Sequence, residues 1–509
     1  MATQRHAAET TLYAGISLLL EFLGSYQQKP CLRRVHCVRP CGGLRGTHYS
    51  YDIHGNVRTL LQEIKDLEPF GQSFKKIEYE YDLLSGNVRK VHYQDGQWDE
   101  FHHSYRYDAD NRLLEVRTSR DGILWELDAR QFYYAMGPLA RTEIGRKQVQ
   151  GLDNTYTLQG WLRGVNAVSL DPAHDPGKDG AQTGLDRFFA RDAMAFALNY
   201  HAGDYLPVGG TNAMAHIAEA NGTYGAAMQN NDLYNGNIPS MMTALRGEFG
   251  DVLDLHANVY RYDRLNRLKE QRVFHGTPLS PGGGAPIQLG PLQDNGDYAN
   301  TLIYDPNGNI EKQVVYGRAS ASETNVQLMD DLDYHYYHGT NKLNYVHDSQ
   351  VNSAYTNDLD PQTEGNYSYY GNGNLEQDLS AGINEIIWNL QNKVRHVIRG
   401  DQNLPNLEFR YGPMGQRTVK IVKPQTMGGP TFERSWTITY YILDANGNPM
   451  AIYTRRTEDP DQGSNAFKDV LRLEEFPIYG SSRLGLVKEE RQKVKLFTYT
   501  QTTSTAISR

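Results

Sequence analysis

The protein has 509 residues, with 51 Lys and Arg against 60 Asp and Glu and a formal net charge of −9. This acidic balance offers no general electrostatic footprint for a phosphate backbone, so nucleic acid is not predicted as a partner. Only 39% of the residues are hydrophobic, and no apolar run reaches the roughly 18 residues of a membrane-spanning helix, so no membrane span is predicted.

Residues 1–46 are predicted to be an atypical, poorly ordered leader. They hold all three cysteines, Cys31, Cys37 and Cys41, so the rest of the chain is held together without disulfides. The cysteines lack the close Cys-x-x-Cys pairs of usual zinc sites, and no metal site is predicted. The apolar run 12–23 contains Glu21 and lacks a small-residue cleavage site, so no convincing signal peptide is present.

A repeat begins at residue 47 and covers residues 47–113, 260–274 and 301–486. Its motif is Tyr-x-Tyr-Asp, two residues, Gly or Asn, then Asn or Arg and an apolar residue. Neighbouring copies lie 26 to 42 residues apart, as from Tyr81 to Tyr107 and from Tyr262 to Tyr304, and such periods indicate an array of small units. The clearest copies are defined by Tyr49, Tyr51, Asp52, Gly55, Tyr79, Tyr81, Asp82, Gly86, Tyr105, Tyr107, Asp108, Tyr260, Tyr262, Asp263, Tyr304, Asp305, Gly308, Tyr367, Tyr369 and Gly373.

Each copy is interpreted as a β-hairpin. Aromatic residues two apart lie on one face of a strand and pack against the equivalent pair of the next strand. The Asp side chain accepts main-chain N–H groups of the turn, and Gly or Asn supplies the positive φ that closes it. Stacked hairpins make one long twisted sheet, and this pattern alone leaves open a shell, a many-stranded sandwich or a propeller.

Residues 114–259 interrupt the array and are predicted to be an irregular insertion with strands and a short helix. The apolar spacing from Phe188 to Leu198 predicts that helix, and a charged loop runs from Asp171 to Asp186. The insertion is interpreted as a cap or decoration of the sheet, with a ligand-contacting loop as the alternative. Residues 275–300 are a Pro/Gly linker loop, and residues 487–509 are a short polar tail.

The repeats resemble the tyrosine–aspartate (YD) repeats of the RHS (rearrangement hotspot) family, which is shared with the C components of insecticidal toxin complexes and with teneurins. Two blocks also look like those of RHS proteins from Bacteroidetes-type bacteria, and they contain Gly160 and Trp161 in the first and Tyr479, Gly480, Arg483 and Gly485 in the second. Residues 233–238 resemble a further block of these proteins. The resemblance implies an all-β fold in which YD-repeat hairpins form a spiralling, partly open β-cocoon shell. Family members continue past the second block into a segment that closes the shell, whereas this chain ends 24 residues after Gly485, so a truncated shell is expected.

No catalytic, cofactor-binding or metal-ligating residue is predicted. Autoproteolysis in the family uses aspartates near an Asp-Pro-x-Gly motif at the end of the core. The match here, at Asp305, lies inside a repeat turn, where Pro and Gly suit the turn itself. The expected function is a non-enzymatic shell that encapsulates and helps deliver a C-terminal toxin-like polypeptide, which is absent from this chain. The alternative is an extracellular glycan-binding or adhesion module that uses the Tyr-rich surface. A secreted or cell-surface location is implied by the resemblance alone.

Overall fold

The computed structural model describes residues 32–38, 45–205, 232–248, 250–253, 255–276, 293–294, 296–318, 326–350, 359–425, 433–458, 468–488 and 494–496. In these ranges the chain is nearly all β, which confirms the predicted fold class. The part of the chain that the structure describes also contains three short 3-10 helices, at Lys65–Phe70, Leu185–Phe188 and Glu433–Ser435. No helix within the described ranges has the length and apolar character needed to cross a bilayer.

Counted over the described residues, the first sheet has 20 antiparallel strands. Each strand pairs with the next one along the chain, except that β16 pairs only with β15, which also pairs with β17. Its strands are β1 (Leu32–Val38), β2 (Arg45–Tyr51), β3 (Val57–Ile64), β4 (Phe74–Tyr81), β5 (Val88–Tyr93), β6 (Phe101–Tyr107), β7 (Leu113–Ser119), β8 (Glu126–Tyr133), β9 (Leu139–Ile144), β10 (Gln150–Tyr156), β11 (Leu162–Val165), β12 (Met194–Asn199), β13 (Ser240–Leu245), β14 (Leu255–Tyr262), β15 (Leu268–Gly276), β16 (Gln293–Asp294), β17 (Asn300–Tyr304), β18 (Ile310–Gly317), β19 (Gln327–Tyr336) and β20 (Leu343–Asp348).

The second sheet has 11 strands and follows the same consecutive order. Its strands are β21 (Tyr367–Tyr369), β22 (Leu375–Asp378), β23 (Ile383–Trp388), β24 (Val394–Arg399), β25 (Asn406–Tyr411), β26 (Arg417–Lys423), β27 (Thr437–Leu443), β28 (Pro449–Glu458), β29 (Lys468–Tyr479), β30 (Arg483–Lys488) and β31 (Val494–Leu496). The last of these, β31, pairs with β29.

A β-bulge recurs at the last aromatic residue of the repeat, immediately before its turn. The register of the β2–β3 pair shifts between Ser50 and Tyr51, and that of the β14–β15 pair shifts between Arg261 and Tyr262. Bulges increase the local right-handed twist of a strand pair, so a bulge in each repeat curls a long strip steadily. The same shift occurs at Tyr81, Tyr107, Tyr304, Tyr336, Tyr369 and Tyr411.

The main hydrophobic core lies between strands that are far apart in the chain. It combines buried residues of β3 to β8, such as Leu60 and Val116, with buried residues of β26 to β29, such as Val419 and Phe476. The end of the second sheet therefore covers the beginning of the first. A smaller core follows in the middle of the first sheet, where Ala257 of β14 is fully buried.

The strand series continues through residues 114–259, and the helix predicted from Phe188 to Leu198 is wrong. Only Phe188 belongs to a short 3-10 helix, and Met194–Asn199 forms β12 between β11 and β13. Burial alternates along this strand, as expected for a β-strand: Ala195 and Ala197 are fully buried, and the residues between and after them are half-buried. Small alanine side chains permit close packing over this face, and cross-strand pairing prevails over their helical preference.

The structure describes only parts of the predicted leader, the Pro/Gly linker and the tail. Residues 32–38 of the leader form β1 and pair with β2, so this part of the leader is a strand of the sheet. Cys31 and Cys41 lie outside the described residues, as do residues 277–292 of the Pro/Gly linker and residues 497–509 of the tail.

Candidate functional site

The repeat turns share one hydrogen-bond pattern. The Asp52 carboxylate accepts main-chain N–H groups from His54 and Asn56, both at 2.8 Å, and the Gly55 N–H donates to the main-chain oxygen of Asp52 at 3.2 Å. Gly55 closes the turn with φ +92°, a conformation that residues with a Cβ rarely adopt. Asp263 repeats the arrangement, and the main-chain hydrogen bond from Arg267 lowers the pKa of this carboxyl. These aspartates are ionised, and their role is to hold the main chain of the turn.

In many repeats, a hydrogen bond from a tyrosine hydroxyl fastens the repeat to the one before it. The Tyr81 hydroxyl donates to the main-chain oxygen of Val57 at 2.9 Å, and Val57 begins the return strand of the preceding repeat. The Tyr304 hydroxyl does the same to Leu268 at 2.7 Å. A half-buried hydroxyl needs such a partner, and this explains the preference for Tyr over Phe. Equivalent bonds join Tyr133 to Leu113, Tyr156 to Leu139, Tyr262 to Ile238, Tyr336 to Ile310, Tyr411 to Val394 and the Trp388 indole to Leu375.

Cation–π contacts strengthen the same junctions. The Arg112 guanidinium lies 4.8 Å from the centre of the Tyr133 ring, and that of Arg267 lies 4.6 Å from the Tyr304 ring. In both cases the arginine closes one hairpin and the tyrosine belongs to the next. The Asn-or-Arg position of the motif therefore serves the contact between repeats as well as its own turn.

Sequence reasoning missed several degenerate repeats. The Gly160–Trp161 block is one of them, because Thr157 N–H donates to the Trp161 main-chain oxygen at 2.8 Å and Gly160 N–H donates to that of Thr157 at 2.9 Å. Tyr134 to Pro138 and Asn389 to Lys393 form the same five-residue turns. An aromatic residue followed by a Gly or Asn three or four positions later is the signal that would have located them.

The second predicted block forms the β29–β30 hairpin. Tyr479 pairs with Arg483, Gly485 pairs with Ile478, and the Gly480 N–H donates to the Ser482 main-chain oxygen at 2.8 Å. A Cβ on Gly480 would lie 3.3 Å from a methyl group of Val116 on β7. This block therefore lies directly against the first sheet.

A buried polar network joins the two sheets where they overlap. The Lys75 ammonium on β4 pairs with Asp99 and donates to the Tyr453 hydroxyl of β28 at 3.1 Å. Tyr453 in turn donates to Asp99 at 2.5 Å and shares a hydrogen bond of 2.7 Å with the Tyr93 hydroxyl. These four side chains are fully buried, and burial raises the pKa of Tyr453 well above its ordinary value. A buried charge or hydroxyl that lost its partner here would be strongly unfavourable, so the network fixes how β28 aligns with β4 and β5.

Aromatic stacking and edge contacts surround this network. The Phe476 ring of β29 stacks on Phe101 of β6 with centroids 4.4 Å apart and an angle of 4° between the rings. The Tyr93 ring meets Phe476 edge-on at 6.0 Å. At the rim, the Ala445 N–H donates to the Tyr79 hydroxyl at 2.9 Å. Tyr79, a repeat tyrosine of the first sheet, thus contacts the turn between β27 and β28, more than 360 residues later in the chain.

A second buried constellation consists of Asp153, Asp175, Asp179 and Asp192, which we call the acidic cluster. One carboxylate oxygen from each of the first three lies within 4.8 Å of the others, and all four residues are buried. The Arg141 guanidinium pairs with Asp153, its cross-strand neighbour, and with Asp179 at 2.6 Å. Burial nevertheless raises the pKa of Asp153 to about 7 and raises those of the other three carboxyl groups. These oxygen atoms could hold a hard metal ion.

Another group with possible ligand atoms is His92, His102 and Asp95. The two imidazoles already bind each other through their Nδ1 atoms at 2.9 Å, and the Asp95 side chain is 64% exposed. A hydrogen bond between the two rings accounts for this arrangement without a metal.

Comparisons with known proteins give a coarse structural likeness. No family model and no curated protein matches the chain. Among solved structures, it is similar to chains in a crystal structure of TcdB2–TccC3–TEV and in one of TcdB2–TccC3, each at 12% identity and a TM-score of 0.24. A chain of a Photorhabdus luminescens Tc holotoxin pore gives the same two values. The matches cover 90%, 88% and 88% of this chain and 26%, 27% and 25% of those chains, so it spans about a quarter of their length.

Proposed function

We propose that the protein is a non-enzymatic shell that wraps and shields a polypeptide cargo. One observation supports this proposal most strongly. The chain returns onto itself, and β26 to β29 near its end pack over β3 to β8 near its beginning. The fully buried Lys75–Asp99–Tyr453 network fixes that overlap. A strip of consecutive hairpins whose end meets its start surrounds a space.

The strands between the two overlapping regions support this reading. In β21, β22, β24 and β25, every residue is at least partly accessible to solvent. A sheet with both faces partly accessible is a single layer, whereas a sandwich would bury one face of each strand. The tyrosine bonds between repeats explain how one layer holds together without a continuous dry core.

The nature of the cargo comes from the sequence resemblance to YD-repeat shells, which implies a toxin-like polypeptide. Confinement by a rigid single layer would keep such a polypeptide from its target until release, through excluded volume and weak polar contacts. A secreted or cell-surface location belongs to the same proposal.

The first test is the shape of the full chain, measured by small-angle scattering and negative-stain imaging. A particle with a low-density centre is expected, and a compact solid particle or an open curved strip would contradict the proposal. A glycan array serves as the companion measurement, since an inert shell binds no glycan, whereas saturable binding would favour the adhesion alternative.

The second test fuses a protease-sensitive unfolded polypeptide to the C-terminus of the full chain. Inside a shell it should survive protease for much longer than the same polypeptide alone. The matched variants are Tyr453→Ala, which breaks the network between the sheets, and Tyr234→Ala, whose side chain is 71% exposed. Protection should be lost in the first variant and kept in the second. Equal cleavage of the fused and free polypeptide would contradict encapsulation.

A further inference from the structure

The acidic cluster carries more negative charge than its protein partners balance. Among the described residues, the cation that pairs with these carboxyl groups is the Arg141 guanidinium, which contacts Asp153 and Asp179. Four ionised carboxylates and one guanidinium would therefore leave three negative charges in a buried site. An unbalanced buried charge is strongly unfavourable, and a site of this kind requires protons or a cation.

Two oxygen atoms of the cluster have no hydrogen-bond donor among the described residues. They are Oδ1 of Asp175 and Oδ1 of Asp192, and each of these residues is only 3% exposed. The two carboxyl groups lie within hydrogen-bonding reach of each other. Because ionised carboxylates are acceptors only, a positive species must lie between or beside them.

The surroundings are shaped around these carboxylates. A Cβ on Gly177 would overlap the Arg141 guanidinium and the Asp153 carboxylate, and a Cβ on Gly151 would overlap Asp179. The main chain also participates, since the Gly151 N–H donates to Asp179 at 3.1 Å and the Asp179 N–H donates to Asp175 at 3.2 Å. Strand β10 and one loop therefore approach this site of oxygen atoms at glycine positions.

We propose that the acidic cluster binds one Ca²⁺ ion. Its donors are all carboxylate oxygen atoms, which suit a hard cation. Ca²⁺ is favoured over Mg²⁺ because it accepts six to eight oxygen ligands in irregular geometry, whereas Mg²⁺ demands a near-ideal octahedron. The bound ion would fasten the loop that contains Asp175 and Asp179 to Asp153 of β10. The cysteine and histidine patterns of the sequence do not predict this site, and Ca²⁺ binding here does not depend on the proposed encapsulating role.

The test uses the full chain, stripped with a chelator and dialysed, and titrated calorimetrically with CaCl₂ or with MgCl₂. One Ca²⁺ ion per chain is expected, with a dissociation constant below about 1 mM and weaker binding of Mg²⁺. Saturating CaCl₂ should raise the melting temperature by several degrees relative to EDTA, because an ion that binds only the folded state stabilises it.

Asp175→Asn and Asp192→Asn should each weaken Ca²⁺ binding by about tenfold or more. The matched control is Asp128→Asn on β8, which replaces another partly buried aspartate with a raised pKa outside the cluster and should keep the full Ca²⁺ response. If Asp192→Asn fails to fold, Asp192→Glu and the wild-type titration still decide the matter.

Two results would overturn the proposal. In the first, the stripped wild-type chain keeps its circular dichroism spectrum, binds no Ca²⁺ and melts at one temperature in CaCl₂ and in EDTA, so the carboxyl groups share protons instead. In the second, both asparagine variants bind Ca²⁺ as tightly as the wild type, so the ion lies elsewhere. Tighter binding of Mg²⁺ than of Ca²⁺ would overturn the assignment of the cation.

Discussion

Replacing Phe476 by Ala should destabilise the overlap between the two sheets. The Phe476 side chain is fully buried, stacks on Phe101 and meets the edge of Tyr93. Truncating a buried phenylalanine costs about 3–5 kcal/mol, through lost transfer free energy and the cavity left behind. Since a whole domain is stable by only about 5–15 kcal/mol, we expect Phe476→Ala to remove a large part of the free energy of unfolding.

Urea unfolding measures the loss, and native-state hydrogen exchange shows where it occurs. Exchange should quicken in β4 to β6 as well as in β29, although these strands are more than 360 residues apart in the chain. The control is Phe188→Ala, because the Phe188 side chain is 68% exposed and its loss should change stability by about 0.5 kcal/mol or less. If both variants lose the same stability, or if exchange in β4 to β6 does not change, then the sheets do not pack as described.

Three further predictions concern the repeats, the acidic site and the pH dependence. Tyr81→Phe should lower the free energy of unfolding by about 1 kcal/mol through the lost bond to Val57, and Tyr81→Ala by ~3 kcal/mol. A urea midpoint of Tyr81→Phe equal to that of the wild type would contradict the role of the hydroxyl, and equal midpoints for the two variants would contradict that of the ring. Gly177→Ala should cost about 1–3 kcal/mol, because its methyl group would overlap neighbouring side chains, whereas Gly371→Ala meets open space and should unfold like the wild type. Burial raises the pKa of Asp128 to about 6 from 3.8, so its contribution to stability is present below pH 3.8 and is lost as the pH rises through 6. Because solvent partly screens this half-buried side chain, we expect Asp128→Asn to be more stable than the wild type by about 1–2 kcal/mol at pH 7.5. Thermal unfolding should show this advantage shrinking toward pH 4, and a constant difference would contradict the raised pKa of Asp128.

The local elements of the fold were largely predictable from sequence. A turn such as that at Asp52 is encoded within five residues, since the Asp acceptor, the Gly with positive φ and the following Asn are all local. Tyr49 and Tyr51 indicate the strand that precedes it. The helix predicted from Phe188 to Leu198 failed because a short apolar run fits either period, and pairing with strands on both sides selected the extended form.

The buried polar network between the sheets and the acidic cluster were harder to predict from the sequence. Arg141 and Asp153 become partners only through the register of β9 and β10, and Asp175 reaches them through an irregular loop. No spacing along the chain distinguishes these aspartates from those of the repeat turns. Similarly, Leu83 and Leu84 are apolar but lie at an exposed hairpin tip, at 86% and 99% exposure, so hydrophobicity alone does not identify the core.

The sequence by itself determined the β-hairpin repeats and their consecutive antiparallel pairing, because turn chemistry and aromatic spacing act over a few residues. The tertiary structure alone decided that β26 to β29 cover β3 to β8, and thereby buried Lys75, Asp99 and Tyr453 together. That meeting depends on the twist and bulges summed over many strands. A small change in twist per strand would move the end of the strip far from its start, so no local pattern in the sequence fixes the contact.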